Sequence, residues 1–458
     1  MWRNVQDDHG NGEKMTSITQ DITEKNGRER QPNSQNLGSQ DAVADVRPSV
    51  EQTVLAATRI AGQRRMPLRV ESLLGNAKNG AVNGNVSNNS NVSNNGNGSN
   101  GNGANGKGAN GNGANGVANG VFSDFEYSNG ARKVDISGLL ETIAPQMQCV
   151  EDEIARLLTS PIKLVSDIAG HTLGAGGKRL RPALTIFASQ LCSGNVDARA
   201  LTCAAVMEIT HTTALIHDDV VDNAQTRRGK PAANLLWGNE TSVLVGDYLS
   251  AQAFVALTKP DFYDVLPFVA QTTSELCAGE LLETQTRGLL SLTEEQYLDI
   301  IALKTASLTS CACRVGAITG DATDDEQEKL ARYGRFLGLA FQIVDDVFDV
   351  VSNEIRVGKP VGNDIREGDI TLPMLRAMQV IGETERDEMN AIVGKDPISD
   401  EEVARALEIL RGCDAVEYSM SRAARFVEAA KNELQDFADC DAKSALVDIA
   451  NYVLSREK

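Results

Sequence analysis

Two short acidic runs carry the clearest chemistry in the chain, Asp218-Asp219-Val220-Val221-Asp222 and Asp345-Asp346-Val347-Phe348-Asp349. On a helix, positions i, i+1 and i+4 set two carboxylates one turn apart on one face with a third beside them. Carboxylates that close repel one another, so the pattern is unfavourable unless cations lie between them. Mg²⁺ suits that role, because it takes oxygen ligands at about 2.0–2.1 Å, keeps several waters, and is commonly shared between one or two carboxylates and phosphate oxygens. A single run of this kind is ordinarily a solvated acidic face. Two copies 127 residues apart, each closing an apolar helical run, point instead to facing clusters around three metal ions and a diphosphate. Acids at a helix C-terminus also oppose the helix dipole, which asks for a functional reason.

Basic residues supply the complement. Gly176-Gly177-Lys178-Arg179-Leu180-Arg181-Pro182 places three cations just before an apolar helix, and Arg227-Arg228-Gly229 follows five residues after Asp222. Arg is suited to bidentate contact with phosphate oxygens. Either patch alone is evenly balanced between a solvated loop and an anion site. His211 lies seven residues before Asp218, two helical turns along the same face, whereas His217 reads as a structural histidine.

Helices must position these groups. From Ile136 onward apolar residues recur at helical spacing, most clearly in Leu201 to Ile216, Val243 to Leu257, Tyr297 to Val315 and Glu326 to Val351. No β-branched run alternates with polar residues for long enough to make a sheet. Breaks at 174–177, 226–231, 259–261, 320–324 and 358–368 divide the region into about ten helices, several apolar around most of their circumference, as in the centre of a bundle. The expected fold is all-α.

Composition separates this region from what precedes it. Nearly every residue from 79 to 120 is Asn, Gly, Ser, Ala or Val, with a GANG repeat, and such a stretch cannot bury enough apolar surface to offset the entropy of ordering it. The expected organisation is therefore a polar, poorly ordered region 1–78, an Asn/Gly-rich linker 79–131, and a helical domain 132–458. An amphipathic piece between Val54 and Leu74 reads as a marginal solvated helix. Residues 1–132 hold 13 Lys or Arg against 12 Asp or Glu, which leaves −20 on residues 133–458. That excess of acid repels nucleic acid and anionic membranes. Eight cysteines without a CxxC pair, and four histidines, give no zinc framework and read as reduced thiols. No stretch approaches the about 20 apolar residues of a membrane span, and the N-terminus has neither the apolar core of a signal peptide nor the acid-poor composition of a transit sequence. A cytoplasmic location is expected.

The acidic motifs, the GGKRLRP loop and the Arg227-Arg228 pair together resemble the trans-isoprenyl (all-trans polyprenyl) diphosphate synthase family. Further matching pieces are Val245-Gly246-Asp247-Tyr248-Leu249, Gly279-Glu280, Lys304-Thr305-Ala306-Ser307-Leu308, Phe341-Gln342-Ile343-Val344 and Gly358-Lys359-Pro360. The match runs from about Leu139 to the C-terminus. It implies an isoprenoid synthase-like helical bundle with a central cavity, usually homodimeric. It also implies an enzyme that lengthens an allylic diphosphate by addition of isopentenyl diphosphate, for example to supply quinone side chains. By position, Asp218, Asp219, Asp222, Asp345, Asp346 and Asp349 would hold three Mg²⁺ around the allylic diphosphate. Lys178, Arg181, His211 and Arg228 would bind isopentenyl diphosphate. Arg227, Lys304, Thr305, Gln342 and Lys359 would contact the allylic diphosphate or its leaving group. Glu367-Gly368-Asp369 departs from the family pattern, with an acid where many members carry Lys, which puts one phosphate contact in doubt.

Below the first aspartate cluster, one turn down, lie Ala214 and Thr213, where short-chain members carry bulky aromatics; Thr210 follows, and Met207 is the first large residue on the stripe. An isoprene unit extends roughly 4–5 Å against a helical pitch of about 5.4 Å, so an open stripe of this length implies a product of roughly thirty to fifty carbons. An aromatic content of 4% suits an aliphatic channel better than an aromatic-walled cyclase pocket. Two other readings are a non-catalytic subunit of a heteromeric prenyltransferase, which typically loses one aspartate cluster, and a terpene cyclase, which needs no isopentenyl diphosphate site. A shorter-chain farnesyl or geranylgeranyl synthase is the nearer alternative.

Overall fold

The computed structural model describes residues 134–352 and 361–456. In order, the elements are α1 (Ile136–Glu141), α2 (Ala144–Leu157), α3 (Lys163–Leu173), α4 (Leu180–Ser193), α5 (Ala198–Val221), β1 (Thr226–Arg227), β2 (Lys230–Pro231), α6 (Ala233–Trp237), α7 (Asn239–Ala256), α8 (Leu266–Thr286) and α9 (Glu294–Ile301). A single π turn (Ala302–Ala306) continues α9 into α10 (Ser307–Thr319), and then follow α11 (Asp324–Val351), α12 (Asn363–Glu367), α13 (Leu372–Val380), α14 (Glu383–Ile392), α15 (Asp400–Arg411), α16 (Ala415–Glu433) and α17 (Asp441–Ser455). The domain is all-α, as the periodicity requires. The two-residue strands pair antiparallel, Arg227 opposite Lys230.

Local signals set the helix starts. Thr323 and Thr293 each accept from the third backbone N–H of the following helix, while Glu326 and Gln296 reach back to the capping residue's own N–H. Asp324, Asp325 and Glu326 add negative charge at the positive end of the α11 dipole.

Seventeen α-helices occupy the described residues, more than the ten or so that the sequence breaks suggest. The difference lies partly in short helices inside expected loops. The clearest is α12, which falls within the break at 358–368 and is bounded by Gly362 and Gly368, at φ 78° and 75°. Glycine adopts the left-handed conformation without penalty, so the chain makes one helical turn between two sharp corners. The proposed regions 1–78 and 79–131, and the Val54 to Leu74 piece, lie outside the described residues.

α11 is central and packs against α10, α16 and the π turn, while α5 lies between α2, α4, α7 and α10. Close crossings depend on missing side chains: a Cβ at Gly334 of α11 would lie 2.4 Å from the Thr309 carbonyl of α10. Tyr333, fully buried, satisfies its hydroxyl by donating to the Leu446 carbonyl at 2.7 Å. The long apolar helices thus bring the C-terminal ends of α5 and α11, which carry the acidic runs, into one folded unit.

Candidate active site

Asp218 and Asp219 occupy the last turn of α5, and Asp222 caps it. Each faces a different partner. Arg227, on the β1–β2 hairpin, donates from Nε to Asp219 at 2.7 Å. Arg287, just past the end of α8, donates to Asp222 at 2.7 Å and to Asp369 at 2.8 Å. Burial and the negative charge of Glu280 push the Asp218 carboxyl up to about 7, against the pull of Lys304 and Arg227.

The second run sits in the last two turns of α11. Asp346 accepts the Tyr297 hydroxyl at 2.5 Å and a Gln342 amide N–H at 2.8 Å. Asp345 accepts from Arg456 at 2.6 Å. Asp349 accepts the backbone N–H of Asp364 at 3.0 Å. The two runs are linked through α12, since Asp369 donates its N–H to the Asp364 carbonyl at 2.8 Å and accepts from the Arg287 that holds Asp222.

Lys304 lies on the π turn, where Gly279 lets α8 approach closely: a Cβ there would fall 2.4 Å from the Lys304 backbone nitrogen. Its ammonium pairs with Glu280 at 2.9 Å and with Glu283. Those two acids raise its pKa, although burial opposes them. Thr305 donates to Gln342 at 2.8 Å, so this pair orients Asp346 from behind and leaves one amide N–H of Gln342 for another acceptor.

The basic loop is tied to the hairpin. Arg228 donates to the Gly176 carbonyl, Lys230 donates to the Gly174 carbonyl at 2.9 Å, and His171 lies 2.9 Å from the Pro231 carbonyl. Lys178 donates to the Tyr452 hydroxyl, with its nitrogen 4.9 Å from that ring's centroid. Arg181 keeps Nε buried without a hydrogen-bond partner. His211 is held well below the ordinary histidine pKa by burial and by Arg181, Arg228 and Arg227, so it offers a neutral imidazole beside these cations. His217 packs against Gly246, its Nε2 3.3 Å from the Val243 carbonyl and 3.5 Å from Asp247 Oδ1.

On the α5 stripe, Thr213, Thr210 and Met207 are buried and Ala214 is partly so. Thr210 returns its hydroxyl to the Val206 carbonyl at 2.9 Å, while that of Thr213 is buried with no partner. Lys359 lies outside the described residues. Sequence reasoning assigned nothing to Arg287, Tyr297, Arg456, Arg179 or Glu283. Arg179 was marked as one of the loop's three cations but given no partner, and Glu283 had a readable signal, three residues after Glu280 on a helix and so on the same face.

The donor set suits a divalent cation. Asp218 has acids beside it, and one oxygen of Glu280 is buried without a partner. Among the described residues no three His, Cys, Asp or Glu side chains form a ready-made metal cage. Mg²⁺ needs none, because it takes one or two carboxylates and completes its shell from waters and phosphate oxygens.

Residues 162–410 match the sequence model of the family described as polyprenyl synthetase. The chain belongs to this family. It is 40% identical over 292 residues to the short chain isoprenyl diphosphate synthase of Methanothermobacter thermautotrophicus, covering 63% of this chain and 89% of that one. It is 38% identical over 297 residues to the nonaprenyl diphosphate synthase of Mycobacterium tuberculosis, covering 64% and 87%. The crystal structure of polyprenyl synthase from Caulobacter crescentus CB15, complexed with calcium and isoprenyl diphosphate, superposes with TM-score 0.69 at 35% identity, covering 71% of this chain and 99% of that one. The protein is therefore a prenyltransferase, a prenyl diphosphate synthase that condenses isopentenyl diphosphate. Its family works on isopentenyl and allylic diphosphates with divalent metal ions. No helix among the described residues is long and apolar enough to cross a membrane.

Proposed function

We propose that this synthase makes a long all-trans polyprenyl diphosphate, of roughly thirty to fifty carbons on the helical rise below its first aspartate cluster. The observation that carries this reading is the small, buried stripe of Thr213 and Thr210 leading down to Met207. Supply of quinone side chains follows if the product is long. A shorter product has support too, because the relative at 40% identity is named as a short chain enzyme.

The allylic C–O bond breaks with both electrons leaving on the diphosphate, and the double bond of isopentenyl diphosphate attacks the terminal allylic carbon. A proton then leaves the adduct for the released diphosphate, since no side chain in the motifs is an evident base. Mg²⁺, at three ions per site, would supply charge to stabilise the departing diphosphate. Asp218, Asp219 and Asp222 would hold it from the end of α5, and Asp345, Asp346 and Asp349 from α11. Lys304 uses two of its three N–H donors on Glu280 and Glu283, leaving one for the leaving group, to which Arg227 and Lys359 are also assigned. Thr305 and Gln342 support the same diphosphate. Lys178, Arg181, His211 and Arg228 bind isopentenyl diphosphate. An apolar cavity would keep water from the cation.

We read the enzyme as a cytoplasmic homodimer. Support for the second copy comes from α7 and α8, which expose Leu244, Val255 and Leu281 at 62%, 57% and 64%. An isolated pair of apolar faces this open is suited to burial against another copy.

The test is purified protein with labelled isopentenyl diphosphate, an allylic primer and Mg²⁺, with products sized by chromatography. The reading expects successive additions past twenty carbons. Products that stop at fifteen or twenty carbons establish the short-chain alternative. Absence of any incorporation favours a non-catalytic subunit, for which the loss of an aspartate cluster would be expected and both are present. Asp218→Ala or Asp345→Ala should lower kcat by about 10²–10³-fold or more with the fold intact, because each removes charge stabilisation needed as the diphosphate departs. Near-normal turnover in either variant refutes the two-cluster assignment.

A further inference from the structure

Among the cations of the GGKRLRP loop, Arg179 pairs with two carboxylates, Glu208 and Glu151. It stands at φ 49°, a left-handed conformation that side chains rarely adopt, and this turns its guanidinium towards α5. There Nη1 donates to Glu208 at 2.8 Å, Nε donates to Glu151 at 2.7 Å, and Nη2 donates to the Leu173 carbonyl at 3.1 Å. Glu208 is the unusual partner. Its side chain is only 5% exposed, and it lies one helical turn before His211 and ten residues before Asp218.

A buried carboxylate in this position is a hazard to anion binding. Glu208 is the acid whose field falls most strongly on both Arg181 and Arg228. A carboxylate that attracts these two guanidiniums competes with a diphosphate for them and repels the diphosphate directly. Arg179 holds Glu208 in a charge-assisted bond, so the two charges cancel for any ligand nearby. Its grip on Leu173 and Glu151 also fixes the loop between α3 and α4, which carries Lys178 and leads into Arg181 in the first turn of α4.

We propose that Arg179 is a positioning residue that neutralises Glu208, and thereby keeps Arg181 and Arg228 available for the isopentenyl diphosphate. The inference rests on the assignment of those two arginines to that substrate. It assigns Arg179 no contact with either diphosphate.

Steady-state kinetics of the full chain, with each substrate varied in turn, tests this. Arg179→Ala should raise KM for isopentenyl diphosphate about 10-fold, close to one pKa unit's worth of interaction, while KM for the allylic primer moves less than about 2-fold. The double variant Arg179→Ala/Glu208→Gln should bring KM for isopentenyl diphosphate back to within about 3-fold of the parent, because the amide keeps the shape and removes the charge. Glu208→Gln alone should leave that KM unchanged or lower. If the double variant is no better than Arg179→Ala, or both substrates are affected alike, Arg179 acts only in holding the fold and the proposal is overturned. Should Arg179→Ala fail to fold, recovery of folding and of substrate KM in the double variant still supports charge neutralisation, and failure of both variants to fold overturns it. Arg228→Ala is measured beside them. If it leaves KM for isopentenyl diphosphate unchanged, the assignment of the arginines is at fault, whatever Arg179 does.

Discussion

Asp345 and Arg456 are 111 residues apart in the chain, yet the Arg456 guanidinium donates to the Asp345 carboxylate at 2.6 Å. Arg456 also donates to the Phe341 carbonyl at 2.9 Å and stacks 3.8 Å above the Phe341 ring. The last helix is thereby fastened to the turn of α11 that presents the second acidic run. Arg456→Ala should lower stability by about 1–2 kcal/mol, a charge-assisted contact discounted for a carboxylate that is 43% exposed. It should also raise the Mg²⁺ concentration for half-maximal activity, because Asp345 loses the partner that orients it. A urea midpoint and a metal titration both equal to the parent's would show that the contact has no role.

The first cluster should make stability depend on pH. Asp218 titrates near 3.8 when unperturbed and is pushed up to about 7 in the folded chain. The folded state therefore holds a proton that the unfolded state has already released, and the stability present below pH ~4 is lost as pH rises through ~7. Melting temperature in the absence of metal should fall between pH ~5 and pH ~8, on the direction of that shift. Asp218→Asn should flatten the slope. Added Mg²⁺ with inorganic diphosphate should raise the melting temperature more at pH ~8 than at pH ~5, because binding must otherwise displace that proton. A metal-free melting profile that rises over this window contradicts the assignment.

Arg287 bridges Asp222 and Asp369, and the latter is the acid that stands where many family members carry Lys. The charge at this corner is thus supplied from α8 rather than from the loop after α12. Arg287→Ala should leave Asp222, Asp369 and Glu367 as adjacent unneutralised acids. The expected result is a kcat/KM for the allylic primer lowered about 10-fold or more, with a higher Mg²⁺ requirement, and partial recovery in Arg287→Lys, which keeps charge but not the fork. Unchanged primer kinetics in Arg287→Ala would mean that the bridge is structural only.

Product length should respond to the stripe on α5. Ala214→Phe and Thr213→Phe each place a ring one turn below Asp218, and both should shift products from long chains towards fifteen or twenty carbons while the first condensation continues. Chromatography of extracted products from parent and variants reads this directly. Unchanged product distributions would show that another wall limits the tail before it reaches Thr213.

The residues proposed to do chemistry were legible in the chain because they are local. An Asp-Asp-x-x-Asp run fixes its own geometry once it lies on a helix, and the flanking apolar periodicity decides that it does, so α5, α11 and the six aspartates follow without tertiary information. The GGKRLRP loop and the Arg227-Arg228 pair are equally self-contained. Local sequence could not show which group each of these would meet. Arg227 closes on Asp219 across a hairpin only two residues deep per strand, too short for alternation to mark, and Tyr297 reaches Asp346 from a helix 49 residues earlier. Arg287 and Arg456 carry no motif at all, and the motif that holds Arg179 does not show that it meets Glu208. Their roles follow from burial, since a carboxylate withdrawn from water must find a partner somewhere, and which cation supplies it is decided by packing between distant segments rather than by the spacing of neighbours.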